Sequence, residues 1–419
     1  MAAAATIRSL VLARQFDEAS EHVARLVESL TGSCVVSIDF TSDEYSLNSV
    51  SGRVRYADGD MHFFKFHVEE GEEGNVGEYY RAQVLADAGL PVEVPVAVSP
   101  VPGEQFVLYE VRTEPRMVDV CLDLERAAGP QALLPDDLHA AREVLDQRIG
   151  DVLVRTVRSP VGAEAVDSSL HQLFHHRLTT PAGEFPGGRY ASWYLPDSTW
   201  NDLSARLWKV NGVTYGSTLL ELVESAQVNM DPRGFAQQAV ATAHGDDHHG
   251  NVWVIKGDEG TELRLFDPAF AGSGVPALLA LIKPTFHNVF AHPNWLYHPG
   301  EIDLGSIEVD QVAALVSLTD AIELSPLRRQ VLDSIVSHAW IPLLSQLKSA
   351  GQLPPNWRQI VRSGLFLCPF LVTNLVSPDR PELVRILGLG HAVTMGSEPS
   401  SGTDPLTEAL DLLQREIGD

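Results

Sequence analysis

The stretch HGDDHHGNVWVIKGDEGTELRLFDPAF, residues 244–270, decides how this chain is understood. A cluster of alternating histidines and aspartates opens onto NVWVIK. Turn residues Gly257 to Gly260 follow, and then ELRLFD. Two short runs rich in branched apolar residues around a glycine-bearing turn predict a hairpin of two strands. Such a hairpin returns its end to its start, so Asn251 and Asp267, sixteen positions apart, are expected to lie side by side. Asp246, Asn251 and Asp267 form a chemically coherent set. Phosphoryl transfer needs a carboxylate to orient an attacking hydroxyl and accept its proton, and an amide and a second carboxylate to hold magnesium.

Upstream, apolar positions recur at helical spacing through residues 6–31 (Ile7, Leu10, Val11, Ala19, Val23, Leu26, Val27, Leu30), with Gly32 as a stop signal, and predict one or two helices. CVVSIDF, VSGRVRYA and MHFFKFHV then predict three antiparallel strands, the last two joined at Asp58 and Gly59. GEYYRAQVLADAGL predicts a helix ended at Gly89, and EQFVLYEV a further strand. Beyond Val111 the pattern is mainly helical around the embedded hairpin. The predicted class is α+β and bilobal, with residues 1–111 a small lobe of antiparallel sheet plus helix and 112–419 a larger, mainly helical lobe.

Lys65 sits in the third strand between Phe64 and Phe66. An ammonium among such neighbours is costly unless paired, and Glu78 on the next helix is the expected partner. An edge lysine extending to solvent is the plainer reading of Lys65 taken alone. The loop FTSDEYSLNSVSG has no glycine-rich fingerprint; its sequence suits either backbone amides near Ser46 to Ser49 that bind phosphate or a plain hairpin loop.

HGDDHHGN resembles the HGDxHxxN catalytic loop of aminoglycoside phosphotransferases, choline kinases and their relatives, and LFDP resembles their magnesium-binding segment. The resemblance covers about residues 30–300 and implies a protein-kinase-like fold with ATP between the lobes. It implies Asp246 as catalytic base, Asn251 and Asp267 as magnesium ligands, and Lys65 held by Glu78 on the nucleotide phosphates. It also implies a phosphate-covering turn near Ser49, backbone of LYEVR (108–112) beside adenine, and His244 packing the loop. Asp247 departs from the family, where an apolar residue is usual, and so does His249, where proline is common. The implied acceptor is a hydroxyl-bearing small molecule such as an antibiotic, with a serine or threonine of a ribosomally made peptide as the alternative.

Composition sets the outer limits. Hydrophobic residues are 44% and charged residues 21% of 419, as in ordinary globular enzymes. A net charge of −26 repels phosphate backbones and anionic lipid, arguing against nucleic-acid and membrane partners and suiting a cationic substrate. With no bilayer-length apolar run and no cleavage-site pattern at the start, a cytoplasmic protein is expected. Cys34, Cys121 and Cys368 are widely spaced and are expected to be buried thiols.

Two rival functions and the roles of two histidine-bearing stretches also have to be weighed. His244, Asp246, Asp247, His248 and His249 also suit a metal-dependent hydrolase. His171, His175 and His176 are expected on a helix surface or in an acceptor site. The stretch PTFHNVFAHPNWLYHPG, with His287, Asn288, His292, Trp295 and Tyr297, is expected either to line an acceptor pocket or to form a core helix ending at Pro293. A binding module without activity would lack one of Lys65, Asp246, Asn251 or Asp267, and all four are present.

Overall fold

The computed structural model describes residues 3–41, 49–67, 78–99, 101, 106–258, 260–320, 322 and 324–418. Helices α1 (Ala3–Leu12) and α2 (Phe16–Thr31) precede a five-stranded antiparallel sheet of β1 (Val35–Thr41), β2 (Ser49–Tyr56), β3 (Met61–His67), β4 (Ala97–Val98) and β5 (Phe106–Glu110). The strand order is β1-β2-β3-β5-β4, so β3 is central. Lys65 is therefore no edge lysine. Its neighbour Phe64 is fully buried, stacks on Phe106 at 5.8 Å, and joins Val54, Leu108, Ile7, Val23 and Val27 in a core closed by the two opening helices. Successive side chains on a strand point to opposite faces, which turns Lys65 away from that core. Helix α3 (Glu78–Asp87) follows, as expected, and ends before Gly89.

After β5 the chain is mainly helical, beginning with α4 (Met117–Ala128) and α5 (Asp136–Thr156). The second hydrophobic core gathers here, with Leu138, Leu145, Ile149 and Leu153 of α5 facing inward. A Cβ placed on Gly150 would lie 2.0 Å from the carbonyl oxygen of His338, so α5 crosses residues 336–340 at backbone contact. Gly150→Ala is expected to part these elements and cost about 2–3 kcal/mol, more than the helix propensity that alanine adds. A drop in the urea midpoint at constant slope checks this.

The predicted hairpin is present as Val252–Gly257 and Gly260–Leu265, with Val252 opposite Leu265. Two further sheets were not predicted. Val240–Ala243 pairs with Gly272–Pro276, and Glu308–Val312, Leu315–Thr319, Leu207–Val210, Val213–Tyr215 and Pro399–Ser401 form a second five-stranded sheet. These strands are three to five residues long, too short for an alternating pattern to stand out. Pro399–Ser401 leads into the final helix, Pro405–Ile417. Cys121 and Cys368 are buried, but Cys34 is exposed just before β1, a correction to its expected burial. Among the described residues no helix is long and apolar enough to cross a membrane.

Candidate active site

The strand Val240–Ala243 is buried along its whole length and delivers the chain to His244. Gly245 follows at φ 81°, and a Cβ there would meet Leu170 at 3.1 Å and the carbonyl of Phe270 at 3.2 Å. Both the left-handed backbone and the close packing call for glycine. His244 Nε2 donates to the Phe266 carbonyl at 2.9 Å, while its Nδ1 accepts the Asp246 amide at 3.3 Å. One imidazole thus ties the loop to the far end of the hairpin.

Asn251 completes the closure. Its Nδ2 donates to the Asp246 carbonyl at 2.9 Å, and its own carbonyl accepts the Phe266 amide at 3.0 Å. Asp267, the next residue, has φ 55°, a left-handed conformation that aspartate tolerates better than most residues. Its carboxylate forms an ion pair with Lys65 of β3. Burial raises the Asp267 carboxyl, and Lys65 outweighs it, so the group stays below the ordinary carboxylate value. The small lobe's lysine and the hairpin's two ends therefore meet in one crevice.

Lys65 was expected to pair with Glu78, and among the described residues it pairs with Asp267. Glu78 opens α3, and its side chain lies outside the described residues. Ser49 opens β2 opposite His67; its side chain and the turn at 42–48, including Ser46 and Asn48, also lie outside them.

Near the LYEVR segment the lobes are joined by side chains. Arg112 Nε donates to Glu93 Oε1 at 2.6 Å, and Trp253 Nε1 donates to Glu93 Oε2 at 3.1 Å. Trp253 stacks on Phe266 at 4.3 Å. The Glu93 amide bonds to the Leu265 carbonyl at 2.8 Å, so the segment after α3 runs along the hairpin.

Asp246 has a partner that the sequence analysis missed. Lys283, only 5% exposed, brings Nζ to 2.9 Å from Asp246 Oδ1. Burial pushes the Asp246 carboxyl up; Lys283 and then His248 pull harder the other way, leaving it well below the usual carboxylate range. Lys283 is the one charge in the apolar run VPALLALIKPTF, residues 275–286. The cost of burying an ammonium, which singled out Lys65, would have flagged it too. The chain after Lys283 continues as one helical rod through a π-turn at Phe286–Phe290. Asn288 Oδ1 accepts the His249 amide at 2.7 Å, and the His287 ring lies 5.3 Å from that of His248. Trp295 is buried and stacks on His391 at 5.0 Å. This stretch packs against the 244–251 loop, while Phe286, Val289, Phe290, His292 and Trp295 also line a cavity of about 270 Å³ and Tyr297 is exposed; Pro293 begins a new short helix, Pro293–Leu296.

The hydrolase reading fails on geometry: only His248 and Asp246 of HGDDHH approach each other, at 3.7 Å, and the other side chains turn to separate partners. His244 bonds to Phe266 and Asp246 pairs with Lys283. Asp247 turns into a small internal cavity with Leu90, Ile149, Leu153 and Leu281, where burial pushes its carboxyl up to about 6. His248 Nδ1 accepts the Gly250 amide at 3.1 Å, and His249 Nδ1 lies 3.7 Å from Cys121 Sγ. Among the described residues no three His, Cys, Asp or Glu side chains converge as a metal site.

A magnesium ion bound through one carboxylate and one amide, with nucleotide phosphates filling other positions, remains compatible with these residues. Asp267 supplies the carboxylate. The amide nitrogen of Asn251 is committed to Asp246, leaving its oxygen as the donor for a cation.

Of the three histidines expected on a helix surface or in an acceptor site, His176 is exposed, whereas His171 and His175 are buried in tight turns packed against the core. His171 Nε2 donates to the Ala165 carbonyl at 2.8 Å, and burial lowers its pKa from 6.5 to about 4. The folded state then binds fewer protons than the unfolded one between these values, so stability is lost as pH falls from 6.5 toward 4. The loss from this residue is about 3 kcal/mol at 1.36 kcal/mol per pH unit. Urea titrations at pH 4.5 and 7 should show a smaller pH difference for His171→Phe than for the wild type.

No family model matches the chain, and no curated protein matches it. Similar solved structures include a spectinomycin phosphotransferase in complex with ADP and spectinomycin, 12% identical with a TM-score of 0.40, covering 89% of this chain and 98% of that one. An amicoumacin kinase in complex with AMP-PNP and Ca2+ is 12% identical with a TM-score of 0.41, covering 91% and 86%. A glucosamine kinase is 13% identical with a TM-score of 0.41, covering 91% and 92%. All three scores lie below 0.5, and what the site can do is read from this chain's own residues.

Proposed function

We propose that this chain is a phosphotransferase of protein-kinase-like fold that uses ATP and magnesium to phosphorylate a hydroxyl of a small molecule, antibiotic-like or metabolic. The observation that carries the proposal is the Lys65–Asp267 ion pair. It brings a cation from the sheet lobe to a carboxylate beside Asn251 and on the same loop closure as Asp246.

In the proposed reaction Asp246 receives the acceptor hydroxyl and aligns its oxygen in line with the γ-phosphorus. The new O–P bond forms as the bond from that phosphorus to the β-bridging oxygen breaks, ADP leaves, and the hydroxyl proton passes to Asp246. Asn251 and Asp267 are the residues that would hold magnesium, which would neutralise charge at the phosphates when bound. Lys65 takes the α- and β-phosphates, exchanging the Asp267 carboxylate for phosphate oxygens. The backbone of residues 108–112 is where adenine docks. The charge of −26 draws in a cationic acceptor.

Incubation with γ-labelled ATP, magnesium and a panel of aminoglycosides, hydroxylated metabolites and serine-rich peptides tests this reading. One phosphate gained by a small molecule supports it. Transfer to the peptides alone would redirect it to a peptide kinase, and absence of transfer to every class would refute it.

A further inference from the structure

The reading of Asp246 as base leaves unexplained why a lysine is buried beside it. Lys283 stands in an apolar helix with its side chain 7% exposed. Burying an ion pair rarely stabilises a fold more than apolar residues of the same volume would. Packing alone therefore gives no reason for an ammonium at this position.

The geometry around Asp246 supplies one. Its Oδ1 lies 2.9 Å from Lys283 Nζ and 3.7 Å from His248 Nε2, and is closed off from solvent. The Asp246 side chain as a whole nevertheless keeps 13% exposure. Oδ2 is thus the oxygen left to the crevice. Lys283 is set in turn by the helical rod 282–290, which grips the next turn of the loop through Asn288 and His249 at 2.7 Å.

Building on the proposed function, we infer that Lys283 is a positioning residue: it locks Asp246 by Oδ1 so that Oδ2 alone faces the acceptor hydroxyl. It acts through Asp246 and needs no contact with the nucleotide.

The test uses the full chain and the acceptor identified by the labelled-ATP panel. Lys283→Met should lower kcat by about 30- to 100-fold, the scale expected when a reacting group loses its alignment, and leave KM for ATP within twofold. In the Asp246→Asn background the same substitution should change the residual rate by less than threefold, because its target is gone. A merely structural role would lower the residual rate again. Where Lys283→Met alone does not fold, comparison of the double variant with Asp246→Asn carries the test. That double variant buries no lone ammonium and should melt higher than Asp246→Asn. An active wild type whose Lys283→Met keeps kcat within threefold overturns the inference alone, as does a further tenfold loss in the double variant. A wild type that phosphorylates nothing overturns the proposed function and this inference with it.

Discussion

Asp246→Asn is expected to lower phosphoryl transfer by about 10³-fold, within the range general-base groups contribute, while ATP affinity stays within a few-fold. The amide keeps the size of the carboxylate and removes only its capacity to take a proton. Isothermal titration with a non-hydrolysable ATP analogue, beside initial rates with the identified acceptor, separates the two effects; a variant retaining a tenth of the wild-type rate would reject Asp246 as base. The structure adds a consequence for folding. The Asp246 and Lys283 side chains are 13% and 7% exposed, so the substitution strands a buried ammonium. Breaking such a pair costs about 3 kcal/mol, and thermal melts should show it. Rates must therefore be measured well below the variant's transition, or unfolding will be mistaken for lost chemistry.

The second large effect concerns Asp267. Asp267→Asn should weaken nucleotide binding by about 10- to 100-fold in saturating magnesium, the scale on which changes at a metal's ligands are felt. Without magnesium it should scarcely alter binding. Asparagine is the informative choice because it tolerates the left-handed backbone at φ 55°, where alanine would add strain of its own. Equal magnesium dependence in variant and wild type would remove Asp267 from the metal site.

The parts of this architecture that could be read from the sequence share a physical cause. The hairpin 252–265 announces itself by branched residues around a glycine turn, and it fixes Asn251 against the segment carrying Asp267 whatever surrounds it. Lys65 stands out because a charge between two phenylalanines demands a partner, and Asp267 is one that spacing along the chain could not have named. Folding delivers Asp267 to it from 202 positions away. Long-range pairing of this kind leaves no local trace. The same limit hid Lys283, whose burial was legible in its apolar run but whose carboxylate was not. His171 and His175 look like one face of a helix by spacing, yet the chain there breaks into 3-10 turns that bury both. The second five-stranded sheet was missed because its strands come from residues 207–215, 308–319 and 399–401, each too short to show a period.

A crystal structure of the chain with a non-hydrolysable ATP analogue and magnesium would test the account most directly. It should show a metal about 2.1 Å from oxygens of Asn251 and Asp267, with Lys65 Nζ moved from the Asp267 carboxylate onto the phosphates and Asp246 Oδ2 facing the γ-phosphorus. A nucleotide bound elsewhere, or a metal that leaves both Asn251 and Asp267 untouched, would contradict it.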